Sequence, residues 1–121
     1  MKKWLLRTGA GLALVATLAS CALTDWEGDV EVKVKHPKAT EFAYGGGAVL
    51  TGDVVYVNHG GSRAVRCKVI VPIRMMGGAK ITRTVPVAEY VEAGRTEREH
   101  IRKTVRWDGT AREILDPKLA C

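Results

Sequence analysis

Arg98, His100, Arg102 and Arg106 fall at even spacings, so on an extended strand they project from one face as a positive stripe, with Arg95 and Lys103 nearby. Such a stripe can meet lipid phosphates, lipopolysaccharide or an acidic protein partner. The same charges equally suit an edge strand kept soluble by its side chains, and Glu97 and Glu99 dilute the local field. Catalytic chemistry has less to work with. None of His36, His59 and His100 has a second His, Cys or carboxylate at a spacing that recurs in metal sites. Nucleophilic catalysis needs a hydroxyl or thiol beside a base and an orienting acid. The chain has no Gly-x-Ser-x-Gly elbow, and Cys67 stands in an apolar valine row that disfavours a reactive thiolate. Gly45-Gly46-Gly47 lacks the lysine and the helix of a phosphate loop. Asp25, Glu27, Asp29 and Glu31 read as a solvated acidic linker rather than a working carboxylate pair. These residues predict a binding protein without metal or cofactor, and not an enzyme.

The elements that would carry the stripe are strands. Val30, Val32 and Val34 alternate with Glu31, Lys33 and Lys35, the period of a half-buried strand that stops before His36-Pro37. From Ala48 to Asn58, Leu50, Gly52, Val54 and Tyr56 make the better core face. Asn58-His59-Gly60-Gly61-Ser62 is a dense turn signal and predicts a hairpin onto Ala64 to Met75, with Val65, Cys67, Val69, Val71 and Ile73 inward. Pro72 removes a ladder donor there and so predicts an edge-like position. Gly77-Gly78 turns the chain into a fourth strand carrying Ile81, Arg83, Val85 and Val87. Residues 96–107 are readable two ways. As a helix they offer a Thr96-Glu97-Arg98-Glu99 capping box; as a strand they lead to Asp108-Gly109, a strong hairpin turn toward Thr110 to Leu115, and the strand is favoured. Pro117 ends the last element and leaves Lys118 to Cys121 as a tail. Short strands, glycine turns at near-regular spacing and no repeated helical amphipathicity predict an all-β fold, a small antiparallel immunoglobulin-like β-sandwich.

The start of the chain is of another kind. Lys2, Lys3 and Arg7 precede a short apolar run, Leu12 to Leu18, which is the pattern of an export signal and too short to span a bilayer. Leu18-Ala19-Ser20-Cys21 then resembles the lipobox of bacterial lipoproteins. That resemblance implies a cleaved signal helix at 1–20, diacylglycerol on the Cys21 thiol and a stable membrane anchor. Ala22 after the cysteine, rather than Asp, implies by the same resemblance the periplasmic face of the outer membrane. The expected organisation is a signal peptide at 1–20, a lipidated tether at 21–28 and a sandwich domain at 29–121. Ala22 to Gly28 shows no apolar period, and Trp26 is expected to cap the bottom of the core, the alternative being a contact with the membrane interface. Losing Lys2, Lys3 and Arg7 lowers the net charge from +6 by three, to +3, which argues against nucleic acid as a partner. Two cysteines then remain, Cys67 and Cys121. An oxidising compartment invites a disulfide between them; the alternative is two free thiols, one in the core and one on a frayed tail.

From Leu50 onward the chain also resembles the FxLYD-type and related immunoglobulin-like modules of bacterial envelope lipoproteins. The matching residues are Gly52-Asp53-Val54-Val55-Tyr56-Val57-Asn58, Gly61-Ser62, Val65, Val69, Val71 and Ile73, then Val91-Glu92-Ala93-Gly94-Arg95-Thr96. The aromatic pair that names the family is absent at Pro72-Ile73-Arg74-Met75, and no functional residue is carried over. The resemblance implies a binding or scaffolding module that docks to another envelope protein by a sheet edge or by the basic stripe. The alternatives are binding of lipopolysaccharide or peptidoglycan through Arg95, Arg98, His100, Arg102 and Arg106, or a lipoprotein subunit of a secretion or conjugation apparatus.

Overall fold

The computed structural model describes residues 22–121, so the expected signal peptide at 1–20 and the lipidation site Cys21 lie outside the described residues. In chain order the strands are β1 (Leu23–Glu27), β2 (Val30–Glu41), β3 (Gly47–Asn58), β4 (Arg63–Met75), β5 (Lys80–Val91), β6 (Thr96–Arg106), β7 (Ala111–Ile114) and β8 (Lys118–Ala120). They form two antiparallel sheets, β1-β2-β3-β6 and β5-β4-β7, with β8 also paired to β4. The chain is an all-β sandwich, and shares that architecture with immunoglobulin-like domains while keeping a strand order of its own.

Alternation makes the core. Val30, Val32 and Val34 of β2, Leu50, Val54 and Tyr56 of β3, and Ile101 and Val105 of β6 face Val65, Val69, Val71 and Ile73 of β4 and Val85, Val87 and Val91 of β5. β-branched side chains suit such pleated, buried surfaces, and valine dominates because two sheet faces leave room for short side chains. Residues 96–107 are strand through Arg106, as favoured from sequence, with Ile101 and Val105 buried.

Several expectations are corrected. Residues 22–28 are not a free tether, because Leu23–Glu27 pairs with Val30–Val34 as an edge strand. The sequence signal was weak there: Leu23 is the one aliphatic residue facing inward, and β1 is held by main-chain pairing to β2. Trp26 does not cap the core; it is 50% exposed on the outward face, its ring 5.7 Å from that of His59. Strand β2 does not stop at His36-Pro37. It runs on to Glu41 through a β-bulge, where the register jumps from Lys35↔Asp53 to Lys38↔Thr51. Two residues, His36 and Pro37, there oppose one, Gly52, and a bulge is a place where a strand accommodates proline. Gly52 answers the bulge: a Cβ on it would lie 3.1 Å from Val34 Cγ1 and 3.7 Å from Pro37 Cα.

The two turns expected to make hairpins, Asn58 to Ser62 and Asp108-Gly109, instead carry the chain from one sheet to the other, since β3 and β6 lie in the first sheet and β4 and β7 in the second. Pro72 lies on an inner strand, yet its position is edge-like, as expected. β4 is flanked by β5 on one side and by β7 and β8 on the other, and Leu115 N–H donates to Pro72 O at 2.9 Å. A strand residue points its N–H and C=O the same way, so the donor proline lacks would have pointed into the break between β7 and β8. Lys118–Ala120 is strand β8 rather than a tail, which sets Cys121 opposite Cys67.

Candidate functional site

Cross-strand register turns the single basic stripe into one side of a wider surface. On the outward face of the first sheet, Lys33, Val55 and Arg98 lie side by side across β2, β3 and β6. Lys35, Asp53 and His100 form the next rung, and Lys38, Thr51 and Arg102 the one beyond. Each rung has a cationic or imidazole side chain at both ends and a β3 residue as its floor. With strands about 4.8 Å apart, the flanking Cα rows stand about 10 Å from each other. Val55 is only 5% exposed although it faces outward, so the long side chains beside it cover the floor.

The bulge shapes this surface. His36 has φ 55°, the one non-glycine residue with positive φ among the described residues. Such a backbone raises the energy by about 1 kcal/mol or more, and strained positions of this kind concentrate where a side chain has been re-aimed. His36, Lys35, Asp53, Val55, Arg98, Glu99 and His100 line a hollow of about 340 Å³. Within it the His100 ring Nδ1 lies 2.8 Å from Asp53 Oδ1, which fixes the imidazole against the sheet. Glu99 faces the other way and accepts a hydrogen bond from the Tyr56 hydroxyl at 3.2 Å. Burial, then the charges of Glu99 and Glu89, push the Tyr56 pKa well above the usual phenol range, so Tyr56 remains a neutral donor.

Of the residues singled out from sequence, Arg98, His100, Arg102 and Arg106 do share the outward face of β6 and are exposed. They span about 27 Å along the strand. Arg106 stands apart from the hollow, its guanidinium carbon 5.5 Å from the Phe42 ring centroid. Arg95 is not in the row: it sits in the turn between β5 and β6, where its N–H meets Glu92 O at 3.0 Å and its carbonyl accepts Asn58 N–H at 3.0 Å. Sequence reading missed Lys33, Lys35, Lys38, His36 and Asp53. Alternation marked Lys33, Lys35 and Asp53 as outward, whereas His36 and Lys38 lay past the expected end of the strand, and only strand order brings β2 beside β3 and β6. The opposite face also carries cations, Arg66, Lys68 and Arg74 of β4, yet Arg74 is paired with Glu113 at 3.0 Å. Geometry rather than charge sets the first face apart.

The sheet edges offer less. At the β5–β6 border, Glu97, Glu99 and Lys103 of β6 and Arg83 and Glu89 of β5 occupy inward-facing positions, and Arg83 Nε donates to Arg106 O at 2.7 Å. Inward charges on an edge strand oppose pairing with a foreign strand. At the other border Cys121 N–H reaches Asp25 Oδ2 at 2.9 Å. Cys67 and Cys121, the pair considered from sequence, are joined in a disulfide across β4 and β8. No group of three or more His, Cys, Asp or Glu is placed to hold a metal ion among the described residues. Comparison with models of known protein families, with curated proteins and with solved structures finds no match for this chain.

Proposed function

We propose that this chain is a membrane-anchored lipoprotein of the bacterial envelope whose sandwich is a protein-interaction or scaffolding module, working through the outward face of β1-β2-β3-β6. The observation that carries the working surface is the set of cation-flanked rungs at Lys33, Lys35, Lys38, Arg98, His100 and Arg102, on a face against which no described element packs. The guarded edges favour this face over strand addition at a border. The export pattern and the Leu18-Ala19-Ser20-Cys21 motif support the anchor. A disulfide between Cys67 and Cys121 suits an oxidising compartment such as the periplasm. With β1 beginning at Leu23, only Ala22 separates Cys21 from the folded body, so the domain would ride close to the bilayer surface.

In-cell crosslinking with fractionation tests this. Cys21→Ser should release the chain from membranes, and a partner captured by the wild type should be lost on Arg98→Glu with Arg102→Glu. Unchanged fractionation of Cys21→Ser removes the anchor, and a partner list indifferent to the face variants removes the docking surface. A second reading, binding of an envelope ligand such as lipopolysaccharide or peptidoglycan, is favoured by the hollow at the bulge, since a concave site suits a small group better than a flat protein contact does.

A further inference from the structure

We propose that the hollow beside the β2 bulge binds the phosphate of a phosphorylated sugar or polyol, with Arg98, Lys35 and His36 on the phosphate and Asp53 on a neighbouring hydroxyl. This deepens the ligand-binding reading and needs only the described residues, so it stands or falls apart from the anchor at Cys21.

The donors are of the right kind. Arg98 presents a planar fork that matches two oxygens of one phosphate, and Lys35 supplies a compact charge from the opposite wall. The bulge brings His36 to the same hollow through its left-handed backbone. Asp53 and Glu99 both border the hollow, but only the Asp53 carboxylate faces it, and it decides what else the ligand must carry. Glu99 is engaged by the Tyr56 hydroxyl. Asp53 gives Oδ1 to His100, and its side chain stays half exposed, leaving Oδ2 as an acceptor. An acceptor in the middle of a cationic hollow repels a bare anion but takes a hydrogen bond from a hydroxyl adjoining the phosphate. The volume of about 340 Å³ suits a headgroup rather than a polymer.

The test uses the mature chain with Cys21→Ser, which cannot carry a lipid that would take it onto any vesicle, titrated with glycerol 3-phosphate and with inorganic phosphate, and floated with vesicles of phosphatidylglycerol or of phosphatidylcholine. The expected result is saturable binding of glycerol 3-phosphate, or of phosphatidylglycerol vesicles alone if the phosphate is read only in a bilayer. Arg98→Glu and Lys35→Glu should each weaken it about tenfold or more, and Arg98→Lys less. Asp53→Asn should lose the preference for glycerol 3-phosphate over inorganic phosphate while holding phosphate at least as well. Arg66→Glu with Lys68→Glu, on the opposite face, should change nothing. Absence of binding to every probe, or equal loss in the opposite-face variant, overturns the site; the latter would mark diffuse attraction. Partner capture that survives such a failure leaves the interaction reading intact.

Discussion

The backbone amide of Cys121 donates to Asp25 Oδ2 at 2.9 Å, so the side chain of an edge strand holds the residue that follows β8. The Trp26 amide donates to Asp25 Oδ1 at 2.9 Å. Both contacts favour the ionised carboxylate, the one from Cys121 most, and hold its pKa below the ordinary value of 3.8. A depressed carboxylate contributes stability that is present above its unfolded pKa and lost as pH falls through the folded one. Asp25→Asn should therefore be the less stable protein at neutral pH, with the gap closing below the usual carboxylate range. Urea melts of both proteins at stepped pH check this, and a gap that does not narrow in acid refutes it.

Cys67 and Cys121 are 54 residues apart in sequence, so their bond removes a long loop's freedom from the unfolded chain. In the chain-entropy model that stabilises the fold by about 4 kcal/mol. Thiol labelling of the protein purified without reductant should find neither Cys67 nor Cys121 until reductant is added. The double Cys67→Ser and Cys121→Ser variant should lower the urea midpoint accordingly, with β8 the first element to exchange its amides.

Asn58 is a buried polar residue whose amide does the work of a loop anchor. Its Nδ2 donates to Gly61 O at 2.9 Å and Val91 O at 3.0 Å, while its Oδ1 accepts Gly60 N–H at 2.8 Å. Asn58→Ala should cost about 2 kcal/mol, the penalty for backbone groups left without partners. Asn58→Asp should be worse than Asn58→Leu, because a carboxylate accepts where two donors are needed.

Gly52 sets how closely β3 can lie under the bulge. Gly52→Val should lower stability by about 2 kcal/mol, since branches beyond a Cβ already 3.1 Å from Val34 Cγ1 would force the strands apart. The same variant should weaken glycerol 3-phosphate binding at the hollow, whereas a stability loss with binding intact would separate the bulge from the site.

Sandwich class, the β3, β4 and β6 core faces and the outward row at Arg98, His100, Arg102 and Arg106 were legible because period-two alternation is a local signal. The bulge was not, since His36-Pro37 looks like a stop in one strand and becomes a continuation only with Gly52 across from it. The turns at Asn58 to Ser62 and Asp108-Gly109 were legible as turns, but their residues say nothing of which sheet receives the chain next. β1 and β8 are too short to show an alternation of their own, and they exist because β2 and β4 are there to pair with. The hollow draws on β2, β3 and β6, so it had no contiguous signature to read.

The three sheet-to-sheet crossings, β3 to β4, β5 to β6 and β6 to β7, also govern how the molecule can be assembled. Built from its amino end, the chain can zip up β1, β2 and β3 early, yet the far flank of β3 waits bare until Thr96 to Arg106 has been made. The first layer closes only after β4 and β5 of the second have been made, and the second only after β6 of the first, so maturation should be a late event, slow in the manner of folds built on distant pairings and exposed to misassociation until then.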